Sequence, residues 1–272
     1  MMTGRAGGPG AGDRRVFVDV PVLCGHRGSG SGIVAGRREN SLASFRAAVA
    51  AGLRWVEVDA RRTADDVLVA SHEPIVDDGR FIADLGAAET DELGMLRVAD
   101  LLAALPTDVA IDIDVKTSLE DALRTRAETT AALVAELALA ERARRRVLVT
   151  SFDPAALLIV REHAPEVPIG LLTWTRFPLR KAIPAAVHLG VNVLIAQVAS
   201  FALDEIPGPR VERGAAHAVA VAHETGLQVA AWCPDPAEAQ QLVAAGVDCL
   251  IVDDFAARWR SAGRAGAVGG CW

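Results

Sequence analysis

The chain is almost without lysine. Of its 28 basic residues only Lys116 and Lys181 are lysines, so each is an exception to a strong arginine bias. Cysteine is sparse and scattered: Cys24, Cys233, Cys249 and Cys271 stand singly, with no CxxC pair. That spacing argues against a disulfide framework or a zinc knuckle and suits the reducing cytoplasm. No apolar run is long enough to span a bilayer, so no integral membrane association is expected. The first residues lack the apolar stretch of a signal peptide and read as a flexible leader over 1–20; residues 263–272 read as a flexible tail. A formal net charge of −7 argues against nucleic acid as a partner. The oligomeric state is left open.

What is present is a large apolar budget and a repeating rhythm. About half of the 272 residues are hydrophobic, enough for one large α/β domain. Short β-branched runs alternate with Ala/Leu/Arg/Glu segments at helical spacing. Strands are expected at 21–25, 55–60, 109–115, 146–152, 167–173, 191–198, 227–233 and 248–253. Helices are expected around 41–51, 97–104, 119–142, 154–163, 179–189, 210–225, 236–245 and 255–261. Gly52, Gly190, Gly226 and Gly246 follow four of these helices, a usual stop signal. Eight strands each followed by a helix point to an α/β fold of the (β/α)8 barrel type over residues 21–262, with a doubly wound open sheet as the rival. The stretch from His72 to Val109 reads as a small excursion after the second strand.

In such a barrel the active-site groups stand at the C-terminal ends of the strands. The first strand ends in Gly25-His26-Arg27-Gly28. The second carries Glu57 and Asp59 within an apolar run, and a short hairpin past it carries His72 and Glu73. The third places Asp112, Asp114 and Lys116 on one face and Ile111, Ile113 and Val115 on the other. The seventh ends in Trp232, and the eighth contributes Asp248 and Asp253. These groups are expected to converge on one mouth. Carboxylates clustered in a core are costly unless a cation neutralises them, and three or four around one point suit a hard divalent ion such as Mg²⁺ or Ca²⁺. The competing structural reading pairs Glu57 and Asp59 with arginines, which the repeated pattern at Asp112 and Asp114 disfavours. His26 or His72 taken singly would be an ordinary satisfied histidine. His163, His188, His217 and His223 fall in helical segments, where surface or packing roles suffice. Lys116 offers a compact point charge of the kind used beside a phosphate oxygen.

Taken in order, the motifs are more specific than any one of them. His26-Arg27-Gly28, then Glu39-Asn40-Ser41 leading into a helix, Glu57 and Asp59 on one strand with Thr63, Asp66 and His72 after it, Asp114-Val115-Lys116, Ser151-Phe152, Trp232, and Gly246-Val247-Asp248 follow one another. This succession, spanning about residues 22–255, resembles the glycerophosphodiester phosphodiesterase family. The resemblance implies a (β/α)8 hydrolase that cleaves glycerophosphodiesters, small-molecule substrates, to an alcohol and sn-glycerol 3-phosphate with a divalent metal. It assigns Glu57, Asp59 and Asp114 to the metal, with Glu39 and Asn40 close behind. It makes His26 and His72 the acid/base pair, Arg27 and Lys116 the phosphate holders, and Trp232 a wall for the glycerol or alcohol side.

Four positions depart from the family pattern. Asp114 stands where Glu is usual, Glu73 where Asp is usual, Asp235 where Asn is usual, and the last strand ends "VDDF". An Asp at the third ligand position also occurs in the related phospholipase D-type toxins. Two alternatives stand against this reading: a phosphodiesterase of the same barrel acting on lysophospholipids, and a non-catalytic barrel that binds glycerophosphodiesters.

Overall fold

The computed structural model describes residues 15–202 and 214–256. Eight parallel strands form the barrel: β1 Val22–Gly25, β2 Trp55–Arg62, β3 Ala110–Val115, β4 Val147–Ser151, β5 Ile169–Leu172, β6 Val193–Gln197, β7 Gln228–Trp232 and β8 Cys249–Val252. Each pairs with the next in chain order, and β8 returns to β1, which also pairs with β2, so the sheet closes on itself. A closed sheet has no unpaired edge to protect. The helices are α1 Leu42–Ala50, α2 Ala87–Glu92, α3 Val98–Ala104, α4 Thr130–Glu141, α5 Pro154–His163, α6 Leu179–Leu189, α7 Ala215–Glu224 and α8 Pro236–Ala244. The (β/α)8 expectation holds. The helix expected at 255–261 and the tail lie almost entirely outside the described residues. No helix among the described residues is long and apolar enough to cross a membrane.

Strand alternation separates two cores. Val56, Val58, Ile111 and Ile113 face outward and pack with Phe45 and Ala48 of α1, Leu101 of α3 and Val134 of α4. The alternate residues Trp55, Ala110, Leu148, Ile195, Ala230 and Ile251 fill the barrel interior. The register pairs Glu57 with Asp112 and Asp59 with Asp114. The acids therefore lie on the inner face, above an apolar floor.

Two segments differ from the sequence expectation, and the excursion expected after β2 is present. The helix expected over 119–142 is two 3₁₀ turns, Leu119–Leu123 and Arg126–Glu128, followed by α4. Asp121 accepts from the Ser118 amide and from the Thr130 amide and hydroxyl, and Thr129 N-caps α4. The local side-chain bonds win over helical periodicity here. Past β2, a short strand Leu68–Ala70 pairs antiparallel with β2, and the excursion after it contains a 3₁₀ turn and α2 before α3.

The second difference concerns the end of the expected leader. Val16 and Phe17 are buried, and Phe17 sets its ring edge-on to Trp55 at a centroid distance of 5.1 Å. Gln228 Oε1 accepts from the Val16 amide at 2.7 Å and the Phe17 amide at 2.9 Å, and its Nε2 donates to the Phe17 carbonyl at 2.9 Å. One side-chain amide thus satisfies three backbone groups that seal the barrel floor. Asp248 stands at this end too, because it precedes β8 instead of following it. It accepts from the Val229 amide at 2.7 Å and from His223 Nε2 at 2.8 Å. The expectation that Asp248 lies at the mouth is therefore corrected, and His223 gains a specific partner.

Replacing Gln228 by Ala orphans those three buried backbone groups. Each costs about 1–3 kcal/mol, so Gln228→Ala should lower the unfolding free energy by several kcal/mol in a denaturant titration. Turnover measured well below the melting transition should stay near wild type. An unchanged denaturation midpoint would mean that residues 15–17 do not seal the floor.

Candidate active site at the barrel mouth

A cavity of about 810 Å³ opens at the C-terminal ends of the strands. His26, Arg27, Glu57, Asp59, His72, Asp114, Lys116 and Trp232, predicted from dispersed motifs, all line it. Glu39 and Asn40 stand behind this lining and bond to it.

The turn after β1 begins the site. Arg27 adopts φ +49° and Gly28 φ +93°. A Cβ at Gly28 would lie 2.8 Å from the Phe45 backbone nitrogen, and one at Gly25 only 2.1 Å from the Gly28 carbonyl oxygen. Glycine is required at both positions for the chain to double back so tightly. The reversal directs the Arg27 amide to Glu57 Oε2 at 2.8 Å. Its guanidinium meets both Glu39 oxygens at 3.0 Å and lies 3.2 Å from Asp59 Oδ2. Asn40, itself at φ +55°, donates from its side chain to Asp59 Oδ2 at 2.8 Å. Next to it, Ser41 caps α1 by accepting from the Ser44 amide.

Glu57, Asp59 and Asp114 offer carboxylate oxygens within 4.8 Å of one another, and all three residues are buried. Burial pushes the Glu57 carboxyl well above the usual range, and the charges of Asp59 and Asp114 add to it. Burial also raises Asp114. Asp59 goes the other way: burial works against its charge, but Lys116, Arg27 and the Asn40 hydrogen bond outweigh burial and hold it below the ordinary value. Lys116 Nζ lies 2.9 Å from Asp59 Oδ1 and bonds Asp114 Oδ2. Burial disfavours its charge, yet the three acids hold its pKa above that of an ordinary lysine. Asp112 is not part of the trio. It accepts from the Thr150 hydroxyl at 2.8 Å, and burial raises its pKa strongly.

The trio fits a hard divalent cation. Three carboxylates share the space with two cations, one of which Glu39 also claims, and Asp114 Oδ1 is buried with no hydrogen-bond partner. Oxygen-only donors of this kind suit Mg²⁺ or Ca²⁺.

Two imidazoles flank the acids. His26 Nδ1 lies 2.9 Å from Asp253 Oδ1. Burial would raise the Asp253 pKa, but the bond and charge of His26, with the Ser31 amide at 2.8 Å, hold it at about 2. Asp253 is therefore the acceptor, and His26 Nδ1 carries the proton. His72 Nδ1 lies 2.9 Å from Glu73 Oε1, and the His72 carbonyl accepts from Arg61 Nε at 3.0 Å. Both imidazoles thus have Nδ1 engaged, which leaves Nε2 as the nitrogen open to other work. On the far wall Phe152 stacks on Trp174 at 4.5 Å and meets Trp232 edge-on at 6.1 Å. Lys116 Nζ lies 5.5 Å from the Phe152 ring centroid.

Sequence reasoning missed Arg61, Trp174 and the pairing of Asp253 with His26. Asp253 was visible as an acid past the last strand, but its partner is 227 positions away. One assignment is corrected, and one departure from the family pattern is explained. The aspartate bonded to the Thr63 hydroxyl is Asp65, at 2.7 Å. Asp66, aligned to that motif from sequence, instead turns at φ +68° and pairs with Arg62. Asp235 N-caps α8 by accepting from the Ala237 and Glu238 amides, which accounts for an acid at that position.

Several solved structures share this architecture. A glycerophosphodiester phosphodiesterase from Thermotoga maritima is 21% identical, with a TM-score of 0.66 over 86% of this chain and 94% of that one. One from Parabacteroides distasonis is 20% identical, with a TM-score of 0.70 over 90% and 98%. An Oleispira antarctica phosphodiesterase, solved in complex with the product sn-glycerol-3-phosphate, is 18% identical, with a TM-score of 0.69 over 90% and 97%. At these identities the likeness speaks for the shared fold. No curated protein matched. The sequence model of the glycerophosphoryl diester phosphodiesterase family matches residues 26–257, from the first imidazole to beyond the last strand, and the chain belongs to that family.

Proposed function

We propose that the chain is a metal-dependent hydrolase, working in the reducing cytoplasm, that cleaves glycerophosphodiesters to an alcohol and sn-glycerol 3-phosphate. One observation carries the reading: the buried carboxylate trio, the cations Arg27 and Lys116 and two carboxylate-oriented imidazoles line a single cavity. The product named for the Oleispira antarctica relative, which shares the fold, supports the substrate class.

A phosphodiester is an anion that repels nucleophiles, and its departing alkoxide needs a proton. Glu57, Asp59 and Asp114 would hold the divalent ion, which supplies positive charge to a non-bridging phosphate oxygen. Arg27 and Lys116 bind the remaining phosphate charge. One imidazole takes a proton from the attacking oxygen at Nε2, and the other gives one to the leaving oxygen from Nε2. Asp253 and Glu73 hold the two rings in the tautomer and orientation this requires. Trp232 and Phe152 wall the carbon skeleton and exclude water from that side. Asp114, one methylene shorter than Glu, also leaves lysophospholipids to be tested. A panel of glycerophosphodiesters and lysophospholipids, assayed for the phosphorylated product, separates the two substrate classes.

Stripping with EDTA should abolish turnover, and Mg²⁺ or Ca²⁺ should restore it. The ion should also raise the melting temperature, because it binds the folded state alone. Asp114→Ala should cost more metal affinity than Asn40→Ala, whose loss of an outer partner is worth roughly 10–100-fold, while Asp114→Glu retains part of the binding. Full activity in the stripped protein, or unchanged metal affinity in Asp114→Ala, would sink the cage.

The imidazoles give a separate test. Because one must be neutral and the other charged, rate against pH should be bell-shaped. Replacing His26 or His72 by Asn should lower kcat by roughly 10²–10⁴-fold with much less effect on KM. A p-nitrophenyl ester, which leaves without protonation, should largely rescue the variant that lost the acid and leave the other impaired. Near-normal turnover in both variants would refute the acid/base assignment.

A further inference from the structure

Beside the catalytic cavity, which His26 also lines, three adjacent strands are each followed by a residue of a metal-ligating type. β1 is followed by His26, β8 by Asp253 and β7 by Cys233. The strand register continues one residue past each end, with the His26 amide on the Val252 carbonyl and the Cys233 amide on the Ile251 carbonyl. Backbone pairing thus brings the three side chains to one level. His26 Nδ1, Asp253 Oδ1 and Cys233 Sγ lie within 4.8 Å of one another, and none of the three residues is fully buried.

The spacing is close to a tetrahedral coordination edge. With Zn–N of about 2.0–2.1 Å and Zn–S of about 2.3 Å, tetrahedral N and S ligands sit about 3.6 Å apart, and N and O ligands about 3.4 Å apart. Cys233 Sγ lies 3.5 Å from His26 Nδ1. Asp253 Oδ1 is 2.9 Å from the same nitrogen, so a small outward rotation of the carboxylate completes the set. Nitrogen, thiolate and carboxylate together select Zn²⁺ or a softer ion over Mg²⁺ and Ca²⁺. The oxygen-only trio of Glu57, Asp59 and Asp114 has the opposite preference.

The geometry points to a second metal site, formed by His26, Cys233 and Asp253, that takes Zn²⁺ and silences the enzyme. Binding displaces the thiol proton, so the ion gains a thiolate and the solvent a proton. The Nδ1 proton that Asp253 accepts is displaced as well. It moves to Nε2 where the ring is neutral and to solvent where it is charged. With the metal on Nδ1, the Nε2 proton of the neutral ring can no longer be exchanged in the catalytic cycle. The binding step stands on coordination chemistry alone, whereas the silencing step rests on the proposed role of His26.

The test uses the full chain saturated with Mg²⁺. One equivalent of Co²⁺, a visible stand-in for Zn²⁺, should give a thiolate-to-metal charge-transfer absorption that Zn²⁺ then bleaches. Saturating Zn²⁺ should lower kcat by roughly 10²-fold or more, the worth of one positioned acid or base, and chelation should restore it. Cys233 does not line the catalytic cavity, so Cys233→Ser and Cys233→Ala should keep Mg²⁺-supported turnover while losing the absorption and the Zn²⁺ sensitivity. Absence of the absorption in the wild type would overturn the site. So would equal Zn²⁺ inhibition of wild type and both variants, since the ion would then act at the carboxylate trio. Absorption without inhibition would leave the site standing and refute the His26 role instead.

Discussion

The structure around the mouth is governed by repulsion among Glu57, Asp59 and Asp114. Two unit charges within 4.8 Å repel by at least about 3.5 kcal/mol at an effective dielectric of 20. Three such pairs would consume much of the roughly 5–15 kcal/mol that holds a domain folded. The trio therefore cannot stay ionised without cations. Lys116 and Arg27 answer part of the demand, and burial answers more by favouring a proton on Glu57. The tight turn at Gly25–Gly28, the φ +49° of Arg27 and the clamp from Glu39 follow from the need to hold a guanidinium against Asp59. A divalent ion adds the charge that these groups leave short.

The two ends of the barrel use the same residue types for different purposes. At the floor, Asp248 and Gln228 accept from or donate to backbone groups, and the result is a seal. At the mouth, Asp59 and Asp114 face cations and a cavity, and Asp114 Oδ1 stays without a partner. A floor acid satisfied by fixed amides has no capacity left for a ligand. A mouth acid satisfied by a lysine can exchange that partner.

Much of this was legible in the sequence because strand alternation is local. Glu57 and Asp59, or Asp112 and Asp114, must share a face once the run is a strand, and eight such runs with helices between them define the barrel. Two kinds of fact were not local. Which end of β8 an acid occupies depends on where pairing starts, so Asp248 and Asp253 looked alike although one belongs to the floor and the other to the mouth. Partners far apart in the chain were also invisible: His26 with Asp253, Gln228 with residues 16–17, and Trp174 with Phe152. The broken helix at 119–142 failed for another reason. Its apolar spacing is helical, but the Asp121 side chain offers the backbone a better local alternative.

The two imidazoles are not held equally. His72 leans on Glu73, whose side chain is 69% exposed, whereas His26 leans on Asp253, 25% exposed and held in turn by the Ser31 amide. Firm placement of a ring by an ionised carboxylate leaves a nitrogen and an oxygen side by side, and that pair is also half of a zinc site. What decides between the two uses is the third neighbour. A hydroxyl there would preserve the hydrogen bonding and add no soft donor, whereas the Cys233 thiol, 3.5 Å from Nδ1, adds one. The carboxylate that orients His26 for proton transfer thus creates the opening through which a thiophilic ion can take the ring away from it.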